Sequence, residues 1–278
     1  MPKGSYKDEN LYVFQRMLKS PKYFIEKVWG LKAHVRGFQF VRGLNWTWQQ
    51  DEVLTAVENA INGVGPKRIA IRSGRGIGKS CVLSWLVIWY LFTHKDAQVP
   101  CTAPTSEQMN DVLWKEIAKW ISKMPPEMQK FFVWTNTHIR IVENPNVWFA
   151  RAKTARKEAP EALAGIHGEH VFLVVDEASG VPDEIFLTAE GFLTDKNTLV
   201  MLISNPTRLE GYFFDAFHED KANWTCLNFS SVDSPVVDSE FINRITQKYG
   251  VDSDEYRVQV MGDFPRDDMM DEQGYVSL

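Results

Sequence analysis

The sequence predicts an α/β fold in which a mostly parallel central sheet is flanked by helices. Three strand-length segments, at 67–73, 170–177 and 197–207, are rich in apolar residues, and helical segments alternate with them. Strands that are apolar on both faces belong to parallel sheets that helices cover on both sides. The length of 278 residues suits one large domain with a small appendage.

The composition excludes several classes of protein. A hydrophobic share of 44% and a charged share of 24% are typical of a soluble globular chain. The net charge of -5 disfavours a protein that coats nucleic acid, although it leaves room for a local basic groove. The chain has three cysteines, Cys81, Cys101 and Cys226. Because their number is odd and no two of them form a C-x-x-C pair, neither a disulfide framework nor a zinc ribbon is expected.

The first part of the chain is predicted to be helical. Two short helical segments are separated at Ser20–Pro21, and a clearer helix begins after Thr47. Thr47 and Gln50 have the spacing of a capping box, and Gly63 stands where a helix C-terminal cap belongs.

Strands and helices then alternate. The strand at 67–73 leads into an apolar helix at 81–92, whose 12 residues are too few to cross a bilayer, which takes about 20. A second strand is predicted at 97–104 and a helix at 106–124. The segment 137–152 alternates apolar and polar residues around an Asn-Pro-Asn turn, which predicts a β-hairpin.

The segment SGRGIGKS at 73–80 is predicted to be a phosphate-binding loop, or Walker A motif. It follows a strand and opens a helix, which is the context that this motif requires, although Ser73 replaces the usual first glycine. Lys79 would reach the β- and γ-phosphates, and Ser80 would offer its hydroxyl to Mg²⁺. A glycine-rich turn with a chance Lys-Ser pair is the alternative. The predicted nucleotide-binding residues of the loop are Ser73, Gly74, Arg75, Gly76, Ile77, Gly78, Lys79 and Ser80.

Asp176 and Glu177 end an apolar strand and are predicted to form a Walker B motif. Asp176 would hold Mg²⁺ through water or Ser80, and Glu177 would be the general base that polarises the attacking water. Alone, such a pair is equally compatible with a helix cap. With a phosphate loop in the same chain it indicates ATP hydrolysis, and the sequence has no N-K-x-D guanine reader.

Three weaker signals follow the same order along the chain. Gln49, beside Gln50, is a candidate adenine reader, although a capped helix explains the pair equally well. The segment 101–105 is either a nucleic-acid contact or an ordinary loop. Ser204 and Asn205 are predicted to sense the γ-phosphate and couple its loss to the sheet, with a plain turn as the alternative.

Several arginines are candidates for catalysis or DNA contact. Arg75 lies inside the phosphate loop and is predicted to act on the phosphates in cis. Candidates for an arginine finger on a neighbouring subunit, or for DNA contact, are Arg151, Arg156 and Arg208. Lys153 is a further candidate for contact with DNA phosphates. A solvated charged loop is the alternative for each of them.

Together these motifs resemble the ATPase domain of a tailed-bacteriophage large terminase subunit, the viral motor that packages DNA. The resemblance implies a RecA-like (ASCE) P-loop NTPase with a small C-terminal lid, and it implies ATP and Mg²⁺ as cofactors. It assigns the adenine contact to Gln49, the metal to Ser80 and Asp176, and catalysis to Glu177 together with Lys79. The segments that carry it are 45–50, 73–80, 101–105, 172–179, 202–207 and 262–265.

The same resemblance implies the partners and the place of action. Such a motor translocates double-stranded DNA into a procapsid. It docks on the portal protein as a homo-oligomeric ring, usually a pentamer, while a small terminase subunit selects the DNA. The expected location is the host cytoplasm, transiently at the portal vertex of the procapsid, with no membrane.

The resemblance also divides the chain. Family members carry a C-terminal RNase H-like nuclease, and this chain stops about where that domain begins, so we expect no DNA cleavage from it. The predicted parts are an N-terminal helical segment at 1–46, the P-loop ATPase core at 47–210, a lid or linker subdomain at 211–265, and an acidic, disordered tail at 266–278 that starts the linker to the nuclease.

Two other functions remain open at this point. A related nucleic-acid translocase or helicase would normally need a second RecA-like domain, for which 278 residues leave no room. A nucleotide-gated binding module with little turnover would not need a well-placed base, so the role of Glu177 separates it from a motor.

Overall fold

The computed structural model describes residues 5–35, 37–155, 163, 165–193 and 197–266. Its main feature is a central sheet to which the described part of the chain contributes eight strands. These are β3 (Arg68–Ser73), β4 (Gln98–Ala103), β5 (Phe132–Trp134), β6 (His138–Ile141), β7 (Phe149–Thr154), β8 (Phe172–Asp176), β9 (Leu199–Ser204) and β10 (Thr225–Phe229). Two further strands, β1 (Lys32–Ala33) and β2 (Asn45–Trp46), pair separately.

The strand order across the sheet is β10-β3-β9-β8-β4-β7-β6-β5. The six strands from β10 to β7 are parallel, and β6 and β5 are antiparallel additions at one edge. The predicted α/β fold with a mostly parallel sheet is therefore confirmed. The predicted hairpin is also present, because β6 and β7 pair with His138 opposite Arg151.

Helices precede, connect and follow the strands. They are α1 (Ser5–Lys19), α2 (Pro21–Trp29), α3 (Trp48–Ile61), α4 (Lys79–Thr93), α5 (Lys115–Ser122), α6 (Pro126–Gln129), α7 (Asp183–Leu193), α8 (Tyr212–Asp215), α9 (Ser239–Tyr249) and α10 (Asp254–Tyr256). The segment Gln108–Trp114, which the sequence predicts as part of one long helix, is π-helical and runs directly into α5.

The predicted signals at the ends of α3 are present in the structure. The Thr47 side chain accepts a hydrogen bond from the Gln50 backbone N–H, and the Gln50 side chain accepts one from the Thr47 N–H. Asn62 is the C-terminal cap, and Gly63 follows with a φ of 75°. This pairing satisfies N–H groups that the first helical turn leaves without partners. It also fixes the direction in which α3 approaches the phosphate loop.

Apolar side chains cover both faces of the sheet. On β3, Ile69 and Ile71 belong to one core cluster with helices α2 to α5, whereas Ala70 faces a second cluster with α7. Helix α4 lies almost wholly inside the first cluster, as expected for a core helix. Within the described residues, no helix has both the length and the apolar character that a membrane crossing requires.

The segment beyond residue 211 is continuous with the central sheet. Strand β10 is the edge strand beside β3, with Leu227 paired to Ile71. The sequence predicts a lid or linker subdomain at 211–265, and this division stays a prediction; within that range, β10 is a strand of the central sheet. The tail after 266 lies outside the described residues.

Candidate active site

The predicted phosphate loop connects β3 to α4. Gly76 and Gly78 have φ values of 81° and 87°, a left-handed region that glycine enters without steric cost, and Gly78 is the residue that precedes the helix. Among the described residues, no acceptor is bonded to the backbone N–H groups of residues 76–81. A run of free N–H groups at a helix N-terminus is suited to an anion such as a phosphate group.

The carboxyl ends of β3, β9 and β8 meet at the same edge of the sheet, because the three strands are parallel neighbours in that order. Asp176 ends β8 and is 3% exposed. Burial, and secondarily the nearby Glu177 carboxylate, raises the pKa of Asp176 to about 7 against the opposing effect of Lys79. A cation beside Asp176 would favour its ionised form.

Glu177 is held in an unusual backbone conformation beside the loop lysine. Its φ of 50° is left-handed, which is uncommon for a residue with a side chain and tends to occur at functional sites. The Lys79 Nζ lies 3.5 Å from Glu177 Oε1. The Ser204 hydroxyl donates a hydrogen bond of 3.3 Å to Glu177 Oε2. The carboxylate is therefore oriented from two sides.

Asn205 joins the loop to the neighbouring strand. Lys79 Nζ donates a hydrogen bond of 2.8 Å to Asn205 Oδ1, and Asn205 Nδ2 donates one of 2.6 Å to the Ser73 carbonyl. The two residues predicted for coupling, Ser204 and Asn205, thus contact the predicted base, the predicted phosphate-binding lysine and the first residue of the loop.

The oxygen donors at this edge fit a magnesium ion bound together with a nucleotide. Ser80 offers a hydroxyl and Asp176 a carboxylate, and Mg²⁺ prefers oxygen ligands and usually binds through one or two carboxylates plus substrate phosphates and water. Within the described residues, no cluster of three or more His, Cys, Asp or Glu side chains could hold a metal by itself.

Gln49 lies against the phosphate loop and lines a narrow space there with Ile77, Gly78 and Lys79. Its side chain is fully buried, and both amide atoms have no hydrogen-bond partner among the described residues. Gln50 completes the helix cap and donates from Nε2 to the Gly78 carbonyl at 3.2 Å. The adenine contact of Gln49 therefore stays a prediction, and a buried amide without partners is costly enough to call for a ligand or a rearrangement.

A cavity of about 370 Å³ adjoins the loop on the side of α3. Gly76 and Gly78 line one wall, and the aromatic rings of Trp85, Trp120 and Phe40 line others. The Trp85 indole is 2% exposed, and its N–H has no partner among the described residues. Trp85 and Trp120 pack edge to face at the wall of this cavity, and Lys119 and Lys123 also line it.

The part of the chain that contains this site matches a known protein family. Residues 70–212, slightly more than half of the chain, match the family model of the helicase domain of the RNA cytidine acetyltransferase NAT10/TcmA. The chain belongs to this family. The matched part runs from β3 to the start of α8 and contains the phosphate loop and the acidic pair. The match concerns the helicase domain alone and carries no acetyl-transfer chemistry with it.

Phage proteins provide a second comparison. The probable large terminase subunit of Enterobacteria phage P7 is 33% identical over 231 residues, which cover 79% of this chain and 46% of the phage protein. The expected resemblance to large terminases is therefore confirmed. The chain spans about half the length of this curated relative.

Solved structures of large terminases share the fold. The large terminase ATPase domain of Thermus phage P74-26 matches with a TM-score of 0.64 at 17% identity, covering 88% of this chain and 99% of that one. The large terminase of a second, thermophilic bacteriophage, in complex with ADP, matches with a TM-score of 0.61 at 16% identity, covering 77% and 52%. The predicted RecA-like architecture is confirmed.

The candidate arginines are spread over the molecule. Arg75 is exposed, and Arg208 is exposed on the loop after β9. Arg151 is half-buried on β7, which is separated from β8 by β4. Arg156 lies outside the described residues. The structure brings none of the described three into contact with Glu177, and their roles stay predictions.

Ser179 is a site residue that the sequence did not single out. Its Oγ lies 3.0 Å from the Thr207 Oγ1 and accepts hydrogen bonds from the backbone N–H groups of Thr207 and Arg208. The turn after Glu177 is thereby tied to the loop after Asn205. The serine stands two residues after the acidic pair, which was the only sequence signal for it.

The C-terminal segment contacts the phosphate loop from its other side, which the sequence also did not predict. The Arg75 N–H donates a hydrogen bond of 2.8 Å to the Gln259 carbonyl, and the Ser231 hydroxyl donates one of 2.7 Å to the Arg75 carbonyl. A Cβ on Gly262 would lie 2.6 Å from the Gly74 nitrogen and from the Ser73 Cα, so only glycine fits there. The motif GDFP at 262–265 thus begins with a residue that packs on the loop.

Proposed function

We propose that the chain is the ATP-hydrolysing motor domain of a viral terminase that translocates double-stranded DNA into a procapsid. One observation carries the proposal. Lys79, Glu177 and Asn205 converge at the carboxyl edge of the sheet, beside the segment 76–81, whose backbone N–H groups have no acceptor among the described residues. This arrangement places a triphosphate-binding loop beside a carboxylate that can activate water. Hydrolysis of a phosphoanhydride requires both.

Each residue has a distinct role in the proposed reaction. The N–H groups of the loop bind the β-phosphate, and Lys79 turns from Asn205 to the γ-phosphate as the nucleotide enters. Glu177 accepts a proton from the attacking water, because its carboxylate is partly exposed while its orientation is fixed by Ser204. A magnesium ion at Ser80 and Asp176 would neutralise charge on the phosphates.

The base and ribose are assigned to the cavity beside the loop. This cavity adjoins the phosphate loop, and Phe40, Trp85 and Trp120 are among its lining residues. Gln49 would reach the base only if it moved out of its buried position. Structures of the thermophilic-phage large terminase with ADP and with ATP-γ-S support a nucleotide as the ligand.

The motor role rests on the terminase relatives. The phage proteins described above are large terminase subunits or their ATPase domains. By this relationship we assign to the chain double-stranded DNA as substrate, the portal protein and the small terminase subunit as partners, and a pentameric ring at the portal vertex in the host cytoplasm. Arg75 would act in cis, and Arg151, Arg156 or Arg208 would reach a neighbouring subunit. No nuclease activity is assigned.

The experiment that tests the proposal separates binding from turnover. In Glu177→Gln, ATP should bind with affinity within about threefold of the unchanged chain, while hydrolysis should fall by about 10²–10⁴, because an amide cannot take the proton. Binding is followed with a fluorescent ATP analogue and turnover by phosphate release. Lys79→Ala is the matched comparison, since it should weaken binding itself. Hydrolysis at the normal rate in Glu177→Gln would refute the assignment of the base.

A further inference from the structure

The outer face of the hairpin formed by β6 and β7 carries a row of basic side chains. Ile139, Ile141, Ala150 and Ala152 point into the first core cluster. The alternate residues therefore point to the opposite face, since successive side chains of a strand alternate. Those positions are His138 and Arg140 on β6 and Phe149, Arg151 and Lys153 on β7. Lys153 is exposed and the others are half-buried, and Phe149 packs against the second core cluster.

The pairing register brings these side chains together. His138 is directly opposite Arg151. Burial lowers the pKa of His138, and the charges of Arg140, Arg151 and Lys153 lower it further. The positive charge of this face comes from the two arginines and the lysine.

Two of the three cations on this face, Arg140 and Lys153, are not neutralised by any carboxylate of the described residues. Neither Arg140 nor Lys153 forms an ion pair with any described residue, and the buried Arg140 Nε has no hydrogen-bond partner there. Arg151 is engaged in a further interaction within the chain. The chain as a whole has a net charge of -5, so this face has the opposite sign to the rest of the protein.

We propose that this face binds the phosphate backbone of double-stranded DNA. The proposal rests on the proposed motor function, which supplies the DNA. Basic side chains on alternate residues of a strand repeat every ~6.7 Å, or about two base-pair steps along one DNA strand. The exposed Val133, opposite Arg140 on β5, is a neutral border of the surface rather than a competing charge.

The position of the face links it to the catalytic edge. Lys153 is paired with Thr102 on β4, and Thr102 is paired with Val175, the residue before Asp176. A change at the end of β8 would therefore be transmitted to the basic row across one intervening strand. This geometry distinguishes the face from a basic patch elsewhere on the molecule.

The test removes two positive charges from the face. The double variant Arg140→Gln/Lys153→Gln is compared with the unchanged chain for binding of a fluorescent duplex of about 30 base pairs between about 50 and 200 mM KCl. Each lost phosphate contact should reduce the slope of log Kobs against log[salt] by about 0.9, so a reduction of about 1.8 is expected. The control is Lys115→Gln/Lys248→Gln, which removes the same charge from exposed positions on α5 and α9.

The outcomes decide between this face and its alternatives. A slope equal to that of the unchanged chain in the double variant would overturn the proposal, as would binding of polyglutamate but not of duplex. Arg140→Lys should keep the slope, because the charge remains, and this variant guards against an effect on folding. ATP hydrolysis without DNA should be unchanged in every variant. If Glu177→Gln fails its own test while the slope falls as expected, the motor assignment fails and the DNA surface stands.

Discussion

Individual side chains at the carboxyl edge of the sheet have two partners each, and the proposed sensing of nucleotide state rests on this arrangement. Asn205 bonds Lys79 with one amide atom and the Ser73 carbonyl with the other. A γ-phosphate that attracts Lys79 would leave the Asn205 oxygen free, and its loss would restore the bond. Ser204 bonds Glu177 and the Asn205 carbonyl. In this proposal the sensing step is an exchange of hydrogen bonds within one small group.

Asn205→Ala should lower kcat for ATP about tenfold with less than about a threefold change in KM. The substitution removes a hydrogen bond worth about 1–1.5 kcal/mol from the group that orients Lys79. Steady-state phosphate release measures both constants. Asn228→Ala is the control, because Asn228 is exposed on β10 and bonds Asp263 rather than the loop. A change in KM alone would show that Asn205 only assists nucleotide binding.

The elements that enclose the phosphate loop come from opposite ends of the chain. Helix α3 approaches from one side through Gln50, and the segment at 257–262 approaches from the other. Arg72, the last but one residue of β3, forms an ion pair with Asp263, which fastens the end of that segment. These contacts tie the C-terminal segment to the phosphate loop, so a movement of either one would disturb the other.

Gly262→Ala should destabilise the protein more than Gly30→Ala. Both residues have a φ of 70° and lie in the left-handed region. Each substitution therefore costs about 1–2 kcal/mol in backbone strain. Only Gly262 also approaches the loop backbone, whereas a Cβ at Gly30 would meet nothing within 4 Å. Urea unfolding should show at least about 1 kcal/mol of additional loss for Gly262→Ala, together with weaker ATP binding. Equal losses in the two variants would contradict the close packing.

The molecule as a whole is held by a sheet with a core on each face, and one buried histidine makes its stability depend on pH. His94 stacks on Tyr90 with ring centroids 4.0 Å apart. Burial, and secondarily the nearby His170, lowers the pKa of His94 to about 3. The folded protein therefore keeps this ring neutral, whereas the unfolded chain protonates it below its ordinary pKa of about 6.5.

Stability should consequently fall as the pH drops from about 6.5 towards 3. The unfolded state binds a proton that the folded state does not, so His94 alone contributes a loss of about 1.4 kcal/mol per pH unit, or about 2 kcal/mol between pH 6.5 and 5. Urea unfolding at both pH values measures it. His94→Phe should remove this part of the pH dependence, whereas His218→Phe, at an exposed site, should keep it. Equal pH dependence in all three proteins would refute the assignment.

The sequence predicted those features that depend on neighbouring residues. Strands β3, β8 and β9 follow from short apolar runs, and the cap at Thr47 follows from a four-residue pattern. The phosphate loop is likewise a contiguous motif between a strand and a helix. The roles of Asp176 and Glu177 were predicted from their place at the end of an apolar strand in a chain with a phosphate loop, and the family resemblance implies the same roles.

Tertiary structure decided every contact between distant segments. Asn205 is 126 residues from Lys79, and the two meet only because β9 inserts between β3 and β8. The same strand order places β10 beside β3 and brings Gly262 onto the loop. Gln49 of α3 is buried, and its contact with adenine stays a prediction. Local sequence patterns determine helices, strands and turns because the interactions that form these elements act within a few residues. Strand order depends instead on the packing free energy of the whole sheet.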